Sequence, residues 1–510
     1  MMSVPESFQW LEPEVKLEEL SSYSEKNKLR SKTEKLIRES LGEAVPTKVM
    51  TSIARKIKDY LTYPPLTKKE VNSLIDDLSL KHGENLQLFI KEAETVSIPD
   101  LFKICDLANN DRDNNAAFHT SVDIAYSSIE YLPSEAQFKS KITALEPSVG
   151  AGVFVFLLAK KYPNLVLEFD CVDIDKNALK VLKALADRFN LHNLEINYIH
   201  DDFITTKKLS KRYDIVAGNP PFMKVKDAQL LKSYQGEVLY TKSNNIFTYF
   251  IEKCLMLAKD LVLITPKALL GAPDYSTSRR LLKSKAIKHI NDFNEKAFDV
   301  RIETISFYVS DKADFPKHKQ EGEEPLVLIY SYLNKTLEYK HQSYITDNLF
   351  DTWLLYRDAA FDKTCETLSF GVFKVFRDRQ LTAGNTKESG KYRVIKARNI
   401  GNNQIIDNPK VNRYVDSLTQ LAVSQYINSD SILIPNLTYN PRAARLPKGC
   451  IADGSAAILY SESGYKPTDC DIEYFGSKEF NHFYRIARNY GTRSLNIDSN
   501  SVNYFGIRKR

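Results

Sequence analysis

The feature that most constrains this chain is a change of rhythm near Lys141, where helical periodicity gives way to short apolar runs alternating with amphipathic stretches. Ile142–Leu145, Leu167–Val172, Leu194–Ile199, Tyr213–Ala217 and Leu261–Ile264 have the length and apolarity of strands. Between them, Val153–Lys161 and Lys176–Phe189 read as helices. Alternation of this kind predicts an α/β fold, a mostly parallel sheet covered by helices on both faces. Ligands of such sheets bind outside the C-terminal strand ends. Each motif that carries chemistry here falls at one of those ends.

The flanks read differently. Up to about residue 110 the segments TKVMTSIARKIKDYL and KKEVNSLIDDLSLKHGENLQLFIKEA place apolar residues at three- and four-residue spacing, as amphipathic helices do. No catalytic constellation stands out there, and Pro99-Asp100 in a helical context does not make a nuclease. A polar, Lys/Glu-rich stretch around Lys312–Glu324 reads as a surface loop or domain edge. Beyond it short strands mix with turns (GNNQ, NLTYNPR, LPKG) and one helix near Ser477–Arg488.

At 510 residues the chain is too long for one core, since domains run to about 100–200 residues. Its net charge of +6 is unevenly spread: Leu381 to Arg510 holds 18 Lys/Arg against 11 Asp/Glu, so the rest is close to neutral. A basic terminal module on a neutral body suggests contact with a polyanion. The six cysteines are scattered without a C-x-x-C pair, which excludes a zinc-finger pattern and a disulfide framework. No apolar run approaches a membrane span, and the first twenty residues lack the layout of a signal peptide. The expectation is a cytoplasmic protein.

The first strand runs into Glu146-Pro147-Ser148-Val149-Gly150-Ala151-Gly152 and then a helix. The glycines allow a tight turn and close approach of the backbone to a ligand. Glu146, at the strand end, would repel a pyrophosphate but could pair with an ammonium group. The second strand ends in Val172-Asp173-Ile174-Asp175, where an acid can take both hydroxyls of a ribose. After the third, Asp202-Phe203 offers an acid for an adenine amine and an aromatic face for its ring. An amino acid, a ribose and an adenine without phosphate describe S-adenosylmethionine. Asp173 alone could equally be a helix N-cap; three acids at successive strand ends argue for the ligand.

The fourth strand leads into Asn219-Pro220-Pro221-Phe222. An exocyclic amine of adenine is a poor nucleophile because its lone pair is delocalised into the ring. The Asn219 side-chain oxygen and the Pro220 carbonyl could accept its two N–H protons and localise that pair. Proline fixes the backbone so that the carbonyl points consistently outward. Phe222 could stack on the base and align it with the sulfonium methyl, so that orientation supplies much of the rate. Proton loss can follow transfer, without a general base or a metal.

In these motifs the sequence resembles the gamma-class amino-methyltransferases of DNA, including the adenine-N6 modification enzymes of restriction systems. The resemblance runs from about Phe118 to the C-terminus and is strongest from Ala144 to Phe222. It implies a Rossmann-like S-adenosylmethionine methyltransferase sheet, a helical N-terminal region and a mixed α+β target-recognition domain. The expected divisions are 1–110, 111–315, a connecting segment 316–355, and 356–510. Implied for the cofactor are Thr120 (in Phe118-His119-Thr120), Glu146, Ser148, Gly150, Gly152, Asp173, Ile174, Asp202 and Phe203. Implied for catalysis are Asn219, Pro220, Pro221 and Phe222, the last in place of the commoner Tyr. Phe298 matches a later aromatic that packs against the flipped base. Val394–Ile400, Ser431–Pro441 and Arg493–Val502 resemble the target-recognition domain in order and spacing, with Arg398, Arg442 and Arg445 as candidate DNA contacts. Double-stranded DNA is the implied partner, a cognate restriction endonuclease a further one, with no metal and no membrane.

Three other readings compete. A protein-glutamine methyltransferase shares N-P-P-Y and a helical N-terminal domain, but would end soon after the sheet. An RNA amine methyltransferase would carry a smaller appended domain. A DNA-binding subunit with a degenerate site is disfavoured because each cofactor and amine position holds a competent residue. Cytosine-N4 methylation uses the same amine logic, but Asn at the first position leans to adenine.

Overall fold

The computed structural model describes residues 65–93, 96–109, 119–209, 211–295, 297, 302–311, 325–346, 350–438, 440–491 and 495–509. The chain divides into two units, Met1–Glu70 with Glu94–Asp100, and Val71–Ala93 with Leu101–Arg510. In the first, the Asp100 carboxylate ties the described residues together by accepting from the Leu66 amide (3.1 Å) and Ser97 Oγ (2.6 Å). The expected helical segment TKVMTSIARKIKDYL lies outside the described residues.

The described elements open with α1 (Lys68–Asp77), α2 (Gly83–Glu92), α3 (Ile98–Leu107) and α4 (Val122–Ile129). The alternating region follows as β1 (Lys141–Glu146), α5 (Val153–Lys161), β2 (Val166–Asp173), α6 (Lys176–Phe189), β3 (Leu194–His200) and β4 (Tyr213–Gly218). Next come α7 (Ala228–Glu237), α8 (Ile246–Leu257), β5 (Ala258–Pro266), α9 (Ser276–Lys283), β6 (Ala286–Asn294), β7 (Thr304–Ser310), β8 (Leu326–Ser331) and β9 (Thr336–His341). All nine strands form one sheet in the order β3-β2-β1-β4-β5-β7-β6-β8-β9. The first five run parallel, and β7 lies antiparallel between β5 and β6. This is the Rossmann-like sheet that the resemblance implies.

Why the chain adopts it is visible locally. Residues 142, 144, 145, 167, 169, 171, 172 and 215–217 are buried, as a strand covered on both faces requires. Helix α6 buries Ala178, Leu179, Val181, Leu182 and Leu185 on one stripe. It starts where Asp175 accepts from the Asn177 amide and stops at Asn190 in the left-handed region (φ 43°). Helix α5 buries six of its nine residues, so its stripe pattern is lost. Phe102 of α3 packs against Phe156 of α5 and Phe189 of α6, with centroids 5.5 and 6.2 Å away.

The sheet does not end where expected. Strands β8 and β9 fall in the segment 316–355 assigned to a connection, and the sheet runs on to His341. Parallel pairing of β8 with β6 buries Val327, Leu328 and Ile329, a partner choice made at long range that local pattern does not carry. The C-terminal part is α+β, as implied. One sheet orders Lys374–Phe376, Ala456–Tyr460, Ile432–Pro435 and Ala444–Arg445; another orders Arg413–Val415, Tyr392–Ile395 and Cys450–Ala452. Helix α10 (Ala359–Thr367) precedes them, and α11 (Asp469–Phe475) and α12 (Lys478–Ala487) follow, the last where a helix is expected. A continuous apolar cluster joins Phe307 and Ile329 of the large sheet to Trp353, Phe361, Phe480, Tyr484 and Phe505.

Candidate functional site

The strand order reverses direction between β1 and β4: from β1 the chain steps to β2 and β3, then returns to β4 and β5 on the other side. A crevice opens at such a switch point, outside the C-terminal strand ends. It is lined by the loop Glu146–Phe154, by Asp173–Asp175 after β2, by Asp202-Phe203 after β3, and by Asn219 and Pro221 after β4.

The loop after β1 can turn there because Gly150 and Gly152 take positive φ, 51° and 79°. A Cβ on Gly152 would collide with Leu182 Cδ1, so glycine is also what lets α6 pack this closely. The Gly150 amide donates to Asp173 Oδ2 and the Asp175 amide to Asp173 Oδ1, both at 2.9 Å. Asp173 is therefore fixed by backbone, with lone pairs remaining for hydroxyl donors. The N-cap of α6 is Asp175 and not Asp173, and the Asp175 carboxylate also accepts from Asn109 Nδ2 at 2.6 Å. Ile174 is 59% exposed and presents apolar surface to the crevice.

Glu146 is 2% exposed, and its Oε2 has no hydrogen-bond partner among the described residues. Burial pushes its carboxyl well above the usual range, and the charges of Asp173 and Asp106 add to this against a bond from the Val155 amide. Burial likewise pushes Asp173 up to about 6, opposed by its two amide donors and reinforced by Asp175 and Asp106. An orphaned carboxylate oxygen of this kind calls for a cationic partner. Five carboxylates line the crevice (Asp106, Glu146, Asp173, Asp175, Asp202), with no Lys or Arg among the described lining residues. Such a site suits a sulfonium and an ammonium group and is ill suited to phosphates.

Asp202 is held on both oxygens, by the Ile204 amide (2.8 Å) and by the Tyr234 hydroxyl (2.6 Å). Phe203 lines the crevice with its ring against Phe250, centroids 4.9 Å apart. On the amine side, Asn219 Nδ2 donates to Thr120 Oγ1 at 3.0 Å, and Ser148 Oγ donates to the Asn219 carbonyl at 3.1 Å. Pro220 is buried behind this loop, and Phe222 is half-buried, edge-on to Phe247 at 6.3 Å.

Residues 149–298 match the model described as Eco57I restriction-modification methylase. The match spans the crevice-forming loops from Val149 onward and includes Asn219–Phe222, and it bears out the resemblance read in the sequence. No curated protein matches the chain in sequence. Among solved structures, a Listeria monocytogenes protein assigned to the class I S-adenosylmethionine-dependent methyltransferases is 17% identical, with a TM-score of 0.39 over 51% of this chain and 88% of that one. The type I restriction-modification methyltransferase subunit of Streptococcus thermophilus is 11% identical, TM-score 0.33, over 57% of this chain and 77% of that one. DrdV in complex with DNA is 11% identical, TM-score 0.41, over 79% of this chain and 54% of that one, so this chain spans about half its length. At such scores these likenesses carry no weight for activity.

Some functional groups escape the sequence reading. Asp106, Asn109, His119 and Tyr234 line the crevice. The first two come from the region read as holding no catalytic group. Asp106 follows the helical spacing of α3 like any surface acid, and only packing brings it to the crevice. Phe298, Phe118 and part of Arg493–Val502 lie outside the described residues. In the C-terminal part, Arg442 spends Nε on the Ile400 carbonyl (2.6 Å) and Nη2 on that of Ala397 (3.2 Å), bracing the turn that carries Arg398. Arg445 pairs with Asp469 at 2.9 Å, while Arg398 is exposed.

Proposed function

We propose that this chain transfers a methyl group from S-adenosylmethionine to N6 of an adenine flipped out of duplex DNA, as the site-specific modification enzyme of a restriction system. The observation that carries the reading is the coupling of the two loops. Ser148 of the cofactor loop holds the Asn219 backbone, and Thr120 holds its side chain. With Nδ2 donating to Thr120, the side-chain amide is held in place, and its oxygen is the group assigned to accept from an incoming amine. The carboxylates Glu146, Asp173 and Asp202 hold the ammonium, ribose and adenine of the cofactor; the cofactor itself supplies an activated methyl on a sulfonium. Pro220 contributes a second acceptor carbonyl, and Phe222 an aromatic face for the base.

DNA as substrate is supported by the description of the matching family and by the basic surplus beyond Leu381. An amine inside a duplex is out of reach, so the nucleotide is extruded into the crevice. The part from residue 356 on grips the backbone and reads the site, with Arg398 the exposed candidate among the three arginines. A cytoplasmic location and a cognate endonuclease follow from the same reading.

The test incubates the chain with unmethylated duplex DNA and isotope-labelled S-adenosylmethionine, then identifies the labelled nucleoside after digestion. Labelled N6-methyl-2′-deoxyadenosine from the native chain and none from Asn219→Ala is the expected result. Label appearing on RNA or protein instead would overturn the DNA assignment and leave the cofactor assignment standing.

A further inference from the structure

We propose that His119, held in place by Asp106, receives the carboxylate at the methionine end of S-adenosylmethionine; this rests on the cofactor reading above. The crevice poses an electrostatic problem. Its five carboxylates suit the sulfonium and ammonium groups, but the same cofactor carries a carboxylate that they repel. Among the described lining residues the one side chain able to carry a compensating positive charge is His119.

Its position fits the task. His119 directly precedes Thr120, whose Oγ1 accepts from Asn219. The methyl group must be presented at Asn219, so the methionine end of the cofactor lies at this end of the crevice. Asp202 and Phe203, which serve the adenine, sit after β3, an edge strand separated from β4 by β2 and β1. His119 Nδ1 lies 2.6 Å from Asp106 Oδ2, and both side chains are mostly buried, 14% and 22% exposed. With Nδ1 committed to Asp106, Nε2 is the ring nitrogen left to meet an anion, and an N–H there would make a charge-assisted bond to it. Asp106 also stands near the cofactor loop: its Oδ1 would be 3.6 Å from a Cβ on Gly150. It orients the ring and keeps its charge close to the crevice.

A purely structural role, an ion pair pinning the segment before α4 to α3, predicts something different: its loss would weaken every ligand of the crevice alike. Calorimetric titration without DNA separates the two, using S-adenosylmethionine and its decarboxylated form as probes. His119→Ala should weaken S-adenosylmethionine about ten- to a hundredfold, and the decarboxylated form by less than about threefold. Equal losses for both overturn the proposal. Should His119→Ala bind neither, His119→Gln, which keeps bulk and a donor but no charge, decides: retained binding of the decarboxylated probe with weakened S-adenosylmethionine supports the clamp, and loss of both overturns it. A native chain that binds neither probe would instead bring down the cofactor reading itself.

Discussion

Replacing Gly152 by alanine should be markedly more destabilising than the same change at Gly150, although both glycines lie in one loop at positive φ. At Gly150 the new methyl meets only Asp106 Oδ1, at an ordinary 3.6 Å, so the cost is that of a left-handed residue with a Cβ, about 1–2 kcal/mol. At Gly152 the same conformational cost applies, and the methyl also collides with Leu182 Cδ1, a side chain with 0% exposure on α6. Overpacking of that kind adds about 1–3 kcal/mol, for a total of about 2–5. Urea unfolding followed by the fluorescence of buried Trp353, in the same structural unit, reads both variants on one transition. A chain this long need not unfold in two states, but two substitutions two residues apart share any such departure. Adding Leu182→Ala to Gly152→Ala should cost less than the sum of the two, because removing the leucine relieves the collision. Equal midpoints for Gly150→Ala and Gly152→Ala would refute the claim that close approach of α6, and not φ alone, requires the second glycine.

Cofactor affinity should rise between pH 5 and 7 with release of protons, because Asp173, pushed up to about 6 by burial, and Glu146, pushed by burial well above the usual carboxylate range, must ionise to hold ribose and ammonium. Calorimetry in two buffers of different ionisation heat checks this, and a flat affinity over that range contradicts it. By the same linkage, the raised Asp173 makes the cofactor-free fold lose stability as pH climbs from 3.8 to about 6. Tyr234→Phe should weaken S-adenosylmethionine roughly three- to tenfold by releasing Asp202, since one hydrogen bond is worth about 1 kcal/mol, with turnover at saturating cofactor unchanged. Arg398→Ala should weaken DNA binding and reduce its salt slope by about 1, whereas Arg442→Ala should lower the melting temperature, because Arg442 braces the turn beneath. A salt slope that drops with Arg442 and not with Arg398 would reverse those roles.

The sequence by itself determined the parallel half of the sheet and the order of its motifs. Strands β1 to β5 and helices α5 and α6 stand where the alternation of short apolar runs and helical stretches puts them, because each is recognisable from its own length and apolarity without a distant partner. Glu146, Asp173, Asp202 and Asn219 were legible for a related reason: a motif at a strand end is carried to the same edge whenever the strands run parallel. Tertiary structure alone decided the rest. Strand β7 pairs with the distant β5 and β8 with the distant β6, and the polar stretch 312–324 hides in the sequence the continuation of the sheet to His341. Asp106 and Tyr234 sit on helices whose surface pattern is ordinary, Asn109 just beyond the end of α3, and His119 reads as a neighbour of Thr120 until α3 brings Asp106 to within 2.6 Å of it. Arg442 reads as a free cation, yet packing turns it toward two carbonyls. Local pattern fixes which face of an element is buried, but which polar side chain meets which across the crevice is settled only when the helices close over the strand ends.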